Sequence, residues 1–221
     1  MKGIFGIFKV DDEMERAVVE LIHGSRIDLD YIFMLCLSAA IITLGFVLGE
    51  LPVLIGGMII APLLFPLLAF SNAVLTLSFT ALRRSLYGIL SSMVVVILTS
   101  YFTTFFLKDI DFAGSFFLLA IRPHPLSFMV AFFSGLSAAY SWISPKLSSV
   151  LPGVATAVSL VPPLVISGIA LHLFNRDLFV DSLFVFALNA FGVMFAGFLV
   201  FLIFGLRRFE SLQEKAIKEE E

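Results

Sequence analysis

The chain has 221 residues, 60% of them hydrophobic and 14% charged, with a formal net charge of -3 and a mean hydropathy of +1.06. A soluble domain carries about a quarter charged residues, whereas this chain holds several apolar runs of about 20 residues, the length that crosses roughly 30 Å of hydrocarbon. It reads as an all-α polytopic membrane protein: no basic cluster or zinc pattern points to nucleic acid, and the lone Cys36 leaves no disulfide framework or thiolate metal site.

Residues 1–29 read as a cytoplasmic segment. Met1 to Val10 is too short an apolar region for a signal peptide and is followed at once by Asp11-Asp12-Glu13. Over 11–23, Met14, Ala17, Val18, Leu21 and Ile22 share one face at spacings of three and four. That pattern predicts an amphipathic helix along the membrane interface, ended by Gly24, with a partner-docking surface as the alternative. A membrane domain follows over 30–206, with six expected spans at about 31–49, 52–71, 85–107, 124–143, 152–173 and 182–206. The stretch 72–84 reads as a mixed linker compatible with a second interfacial helix, and 108–123 as the longest loop. Residues 207–221 form a charged cytoplasmic tail.

With the N-terminus inside, the inner segments hold Lys2, Lys9, Arg16, Arg26, Arg83, Arg84, Lys146, Arg207, Arg208, Lys215 and Lys218, and the outer loops only Lys108, Arg122 and Arg176. This asymmetry predicts that both termini are cytoplasmic.

The second and fifth spans echo each other. Leu51-Pro-Val-Leu-Ile-Gly-Gly-Met-Ile-Ile-Ala-Pro-Leu-Leu-Phe-Pro66 and Leu151-Pro-Gly-Val-Ala-Thr-Ala-Val-Ser-Leu-Val-Pro-Pro-Leu164 both open on Leu-Pro and reach a proline at mid-span. Proline has no N–H to give the carbonyl four residues back. Pro62 and Pro66 therefore release the carbonyls of Met58 and Pro62, and Pro162 and Pro163 those of Val158 and Ser159. With an odd number of spans in each half, the pattern predicts two inverted three-helix repeats with proline-broken second helices, a recurring transporter design. The alternative is that proline and glycine are simply common in membrane helices.

No span carries Asp, Glu, Lys, Arg or His near its centre; Glu50, His124 and His172 stand at span ends. A buried-carboxylate antiport mechanism is therefore not expected. Neither are a catalytic triad, any other catalytic residue, a metal centre or a cofactor. The polar groups left at depth are neutral: Ser38, Thr43, Thr156, Ser159 and Asn189. Asn189 reads equally as pathway lining, with its amide on the released carbonyls, or as a tie between helices. The expected pathway is lined by Gly56, Gly57, Met58, Pro62, Pro66, Thr156, Val158, Ser159, Pro162, Pro163 and Asn189. Ser134, Gly135, Ser137, Ala138 and Ala139, with Gly192 and Ala196, read as helix contacts or an oligomer seam. Arg122 and His124 mark a possible outer mouth for an anion, against the reading that Arg122 anchors the interface and Pro123 and Pro125 punctuate the helices.

These motifs resemble the domain of unknown function 389, a family of uncharacterised hydrophobic membrane proteins of prokaryotes. The matching residues are Ile55-Gly56-Gly57-Met58, Ala61-Pro62-Leu63 and Pro66, then Gly153-Val-Ala and Leu160-Val-Pro-Pro-Leu164, with Asp30-Tyr31, Gly45, Arg122, Pro125, Gly135 and Asn189. The similarity covers about 25–206. Phe65 stands where the family often has a small residue, which would narrow or close a cavity there. Longer members carry a soluble domain not seen in this sequence. The resemblance implies a prokaryotic inner-membrane protein and supplies no activity. The residues themselves lead to a small transporter or channel-like protein, oligomeric and passing a small ion or polar solute, with a non-transporting scaffold or lipid-interacting accessory protein as the alternative.

Overall fold

Asp28 starts the first long helix by accepting the Tyr31 N–H on its carboxylate at 2.8 Å. In the computed structural model, which describes Glu15 and residues 18–107, 125–143 and 152–206 (the backbone alone for 125 and 152–159), this helix is α1, Leu29–Leu48. Gly49, at φ 69°, closes it in the left-handed conformation and gives its N–H to the Gly45 carbonyl. The chain turns directly into α2, Leu51–Ile60, with Pro52 in the first turn, where the missing N–H costs nothing. Ala61 is extended at φ -68° and ψ 121°, as the residue before a proline is pushed to be. After Pro62 the chain restarts as α3, Leu64–Thr76, bent by 50° from α2.

Leu77 in left-handed conformation and Ser78, whose hydroxyl accepts the Ala81 N–H, link α3 to α4, Phe79–Phe106. The stretch read as a linker over 72–84 is therefore the end of one helix and the start of the next. Pro125 opens α5, Pro125–Ile143, and Pro152 opens α6, Pro152–His172. Asn175 caps α7, Arg176–Ile203, by accepting the Leu178 N–H at 3.1 Å.

The structure is all-α among the described residues. Among the described residues four helices are long and apolar enough to cross a membrane, or five if α2 and α3 count as one bent span. Exposed Leu, Phe, Val and Met side chains cover the outside, as expected of a multi-pass membrane protein facing hydrocarbon. At the centre stands α6. Every residue from Leu160 to Ala170 is buried, and α6 packs on each of α1 to α5 and on α7.

One expectation needs correction. α6 runs unbroken through Pro162 and Pro163, so the second half has no counterpart of the break at Pro62. Neighbouring helices hold a proline-bearing membrane helix together on all sides. The N-terminal helical segment is described over 18–24. Val18, Leu21 and Ile22 are buried in the main core, and Gly24 sits against the Phe65 ring.

Contacts recur at a fixed offset. The Tyr31 and Ser92 hydroxyls meet at 2.7 Å between α1 and α4. Raising both numbers by one hundred gives Ala131 and Gly192, where α5 meets α7 so closely that a Cβ on Gly192 would lie 3.3 Å from that of Ala131. Gly168 of α6 abuts Ile97 of α4, and the corresponding residues Leu68 of α3 and Gly197 of α7 also touch, the glycine's added Cβ lying 3.0 Å from the leucine Cδ2.

Candidate functional site: the broken span

Pro62 sets the geometry. It gives no N–H to the Met58 carbonyl, and α2 stops two residues before it. The C-terminal end of α2, with its partial negative charge, thus faces the N-terminal end of α3 across Ala61–Leu63. Such opposed half-helix ends can hold an ion or a dipolar solute with no charged side chain.

The predicted residues divide around this break. Gly57 and Met58 are buried, Met58 at 5% exposure. Gly57 lets α2 approach α1 closely, since a Cβ there would lie 2.6 Å from Ile42 Cγ1. Its carbonyl accepts the Ser38 hydroxyl at 2.7 Å, which satisfies one of the terminal acceptors of α2. Gly56, on the opposite face, is exposed with open space around it. Pro62 is half-buried and Pro66 is buried against Gly88 of α4. Phe65, just after the break, sets its ring edge-on to Trp142 at 5.1 Å and against Gly24.

Pro162, Pro163 and Asn189 are buried, the prolines in α6 and the amide in α7. α6 packs on both α2 and α7, and α7 packs on α3. The side chains of Thr156, Val158 and Ser159, and all of Arg122 and His124, lie outside the described residues. Among the described residues no group of three metal-ligating side chains forms.

Other polar residues escaped notice in the sequence. Asn72, read as linker, lies within α3 at 2% exposure, and its Oδ1 has no hydrogen-bond partner. A buried unpaired amide oxygen is rare enough to require a reason. Only an accurate end for the second span would have placed it at depth. A hydroxyl chain also crosses three helices: Thr43 donates to Ser100 at 3.0 Å, and Ser100 donates to the Val165 carbonyl at 2.8 Å. Ser71 ties α3 to α7 through the Met194 carbonyl at 2.8 Å.

Apolar helices around one buried central helix, with one sharply bent helix pair and buried neutral polar ties, define a multi-pass α-helical membrane protein. Residues 58–195 match the domain of unknown function DUF389, and the chain belongs to that family. It is also similar to an uncharacterized protein of Methanocaldococcus jannaschii, 24% identical over 200 residues that cover 88% of this chain and 62% of the relative. The chain thus spans less than two thirds of that relative's length. No solved structure matches.

Proposed function

We propose that the chain is a small transporter or channel-like membrane protein whose neutral pathway runs past the break between α2 and α3. The observation that carries this reading is a helix broken inside an apolar span with the adjoining Met58 buried in protein. Interrupted backbone at membrane depth is stable only where protein or a wet cavity surrounds it, and transporters use such ends to bind solutes. The Asn72 oxygen adds a buried acceptor without a hydrogen-bond partner.

The six-span inverted repeat with both termini cytoplasmic belongs to the same proposal. It is supported by the contacts that recur one hundred residues apart. It is also supported by the matched way in which α4 packs on α6 and α7 packs on α3. The membrane in question is a prokaryotic inner membrane, the solute is a small ion or polar molecule, and the protein works as a homo-oligomer without cofactor or catalytic chemistry.

One set of observations favours a non-transporting scaffold instead. The hydroxyls of Ser38, Ser71, Ser100, Ser167 and Ser182 all bond across or along helices, as packing ties do. Labelling separates the two readings. In a Cys36→Ser background, Met58→Cys in intact membranes is expected to react with a membrane-impermeant thiol reagent at least tenfold faster than Leu98→Cys, which faces lipid. Equal, negligible rates would leave the scaffold.

A further inference from the structure

Where α6 turns into α7 the bundle holds a cavity of about 470 Å³, within the size range of small-molecule sites. Tyr101, Leu171, Phe174 and Phe179 form an apolar wall, and Asn175 and Arg176 form its polar edge. The Asn175 amide oxygen is engaged in capping α7, which leaves Arg176 as the charged residue of the lining. Asp177 and Asp181 follow on α7, but neither is among the described lining residues.

Leu171 is 42% and Phe174 93% exposed, which continues the apolar outer surface to the cavity mouth. Along α4, Tyr101 lies about 26 Å beyond Arg84 at 1.5 Å per residue, close to the far boundary of a hydrocarbon core roughly 30 Å thick. Phe174 adopts φ 54°, a conformation costly for a bulky residue and worth a functional question wherever it occurs. The opposite end of the bundle differs. The residues one hundred positions earlier and later, Thr76 for Arg176 and Phe201 for Tyr101, are both buried, at 2% and 0% exposure. A cationic, open mouth is therefore not a general consequence of how these helices turn.

We infer that this cavity binds one phospholipid of the surrounding bilayer, with its anionic headgroup on Arg176 and an acyl chain along Leu171, Phe174 and Phe179. An apolar wall ending in one exposed guanidinium complements an anionic amphiphile and offers little to a small hydrophilic anion. The inference rests on the membrane reading of the chain and is independent of whether it transports anything.

Native mass spectrometry of the purified protein in non-ionic detergent tests it, with phosphatidylglycerol and phosphatidylcholine of identical acyl chains added in turn. The protein is expected to retain one phosphatidylglycerol about tenfold more tightly than phosphatidylcholine, the scale of a charge-assisted hydrogen bond. Arg176→Gln should erase that preference, and Leu171→Trp, which fills the cavity from an exposed position, should weaken both lipids. Elution volume and helical content of both variants should match the parent. Equal retention of the two lipids by the parent, or unchanged retention in either variant, overturns the site. Displacement of phosphatidylglycerol by millimolar inorganic phosphate would show a free-anion site and overturn the lipid assignment.

Discussion

Gly168 is the position where one added methyl group should do most damage. A Cβ there would overlap the Ile97 carbonyl oxygen and lie 2.7 Å from Ser100 Cβ and 3.0 Å from the Tyr101 nitrogen. Ordinary contact begins at 3.4 Å, and two of these atoms are backbone, so no rotamer change relieves the overlap. α4 and α6 must separate by about 0.7 Å or more, on the scale of overpacking that costs roughly 1–3 kcal/mol. The same shift stretches the Ser100 bond to the Val165 carbonyl, now 2.8 Å, and with it the Thr43 bond to Ser100. Interhelical ties of this kind contribute about 0.6–2 kcal/mol. Gly168→Ala should therefore destabilise the protein by roughly 2–5 kcal/mol in total. The assay is denaturant unfolding of purified protein in mild detergent, followed by circular dichroism. The control is Gly56→Ala, where a Cβ meets nothing within 4 Å, and the better helix propensity of alanine should leave stability unchanged or raise it by up to about 1 kcal/mol. A Gly168→Ala protein within about 0.5 kcal/mol of the parent would refute the close packing of α4 on α6, since distant surface changes already span that range.

Three further outcomes are expected. Paired cysteines at Ala131 and Gly192, in a Cys36→Ser background, should form a disulfide under mild oxidation, because the Cβ atoms fall at 3.3 Å, near the bonding range; failure to cross-link would undo the proposed correspondence with Tyr31 and Ser92. Asn72→Leu should raise stability by about 1–3 kcal/mol, since it removes a buried acceptor left without a partner, and a lower unfolding midpoint would show that the amide is satisfied in the membrane. Single cysteines in 108–123 should label from outside the cell and those in 207–221 only after permeabilisation, with the reverse pattern sinking the orientation drawn from the Lys and Arg asymmetry.

Much of this fold could be read from hydropathy, because lipid permits so few backbone solutions. The helices lie where the apolar runs do, and Pro62 breaks its span as proline chemistry requires. The second break failed for a reason outside the local sequence. Pro162 and Pro163 lie in α6, which packs on α1 to α5 and on α7, where tertiary packing outweighs the lost bonds. Span ends were also hard to place, because α3, α4 and α7 extend past the apolar core into mixed sequence, which hid Asn72 in an apparent linker. The N-terminal segment meets Phe65 through Gly24, a contact between residues too far apart for periodicity to register. The cavity at Arg176 combines residues of three helices, and no spacing rule relates Tyr101 to Phe179.

The proposed pathway is tested most directly by solute flux into proteoliposomes, comparing the parent with Asn189→Leu across a panel of ions and small polar solutes. The parent should pass at least one solute. That flux should vary little with pH near neutrality beyond the solute's own ionisation, because no span centre holds a group that titrates there. Asn189→Leu, folded and assembled as the parent is, should lose that flux. A folded Asn189→Leu protein with full flux would place the pathway elsewhere, and a parent that passes nothing across the panel would contradict transport altogether.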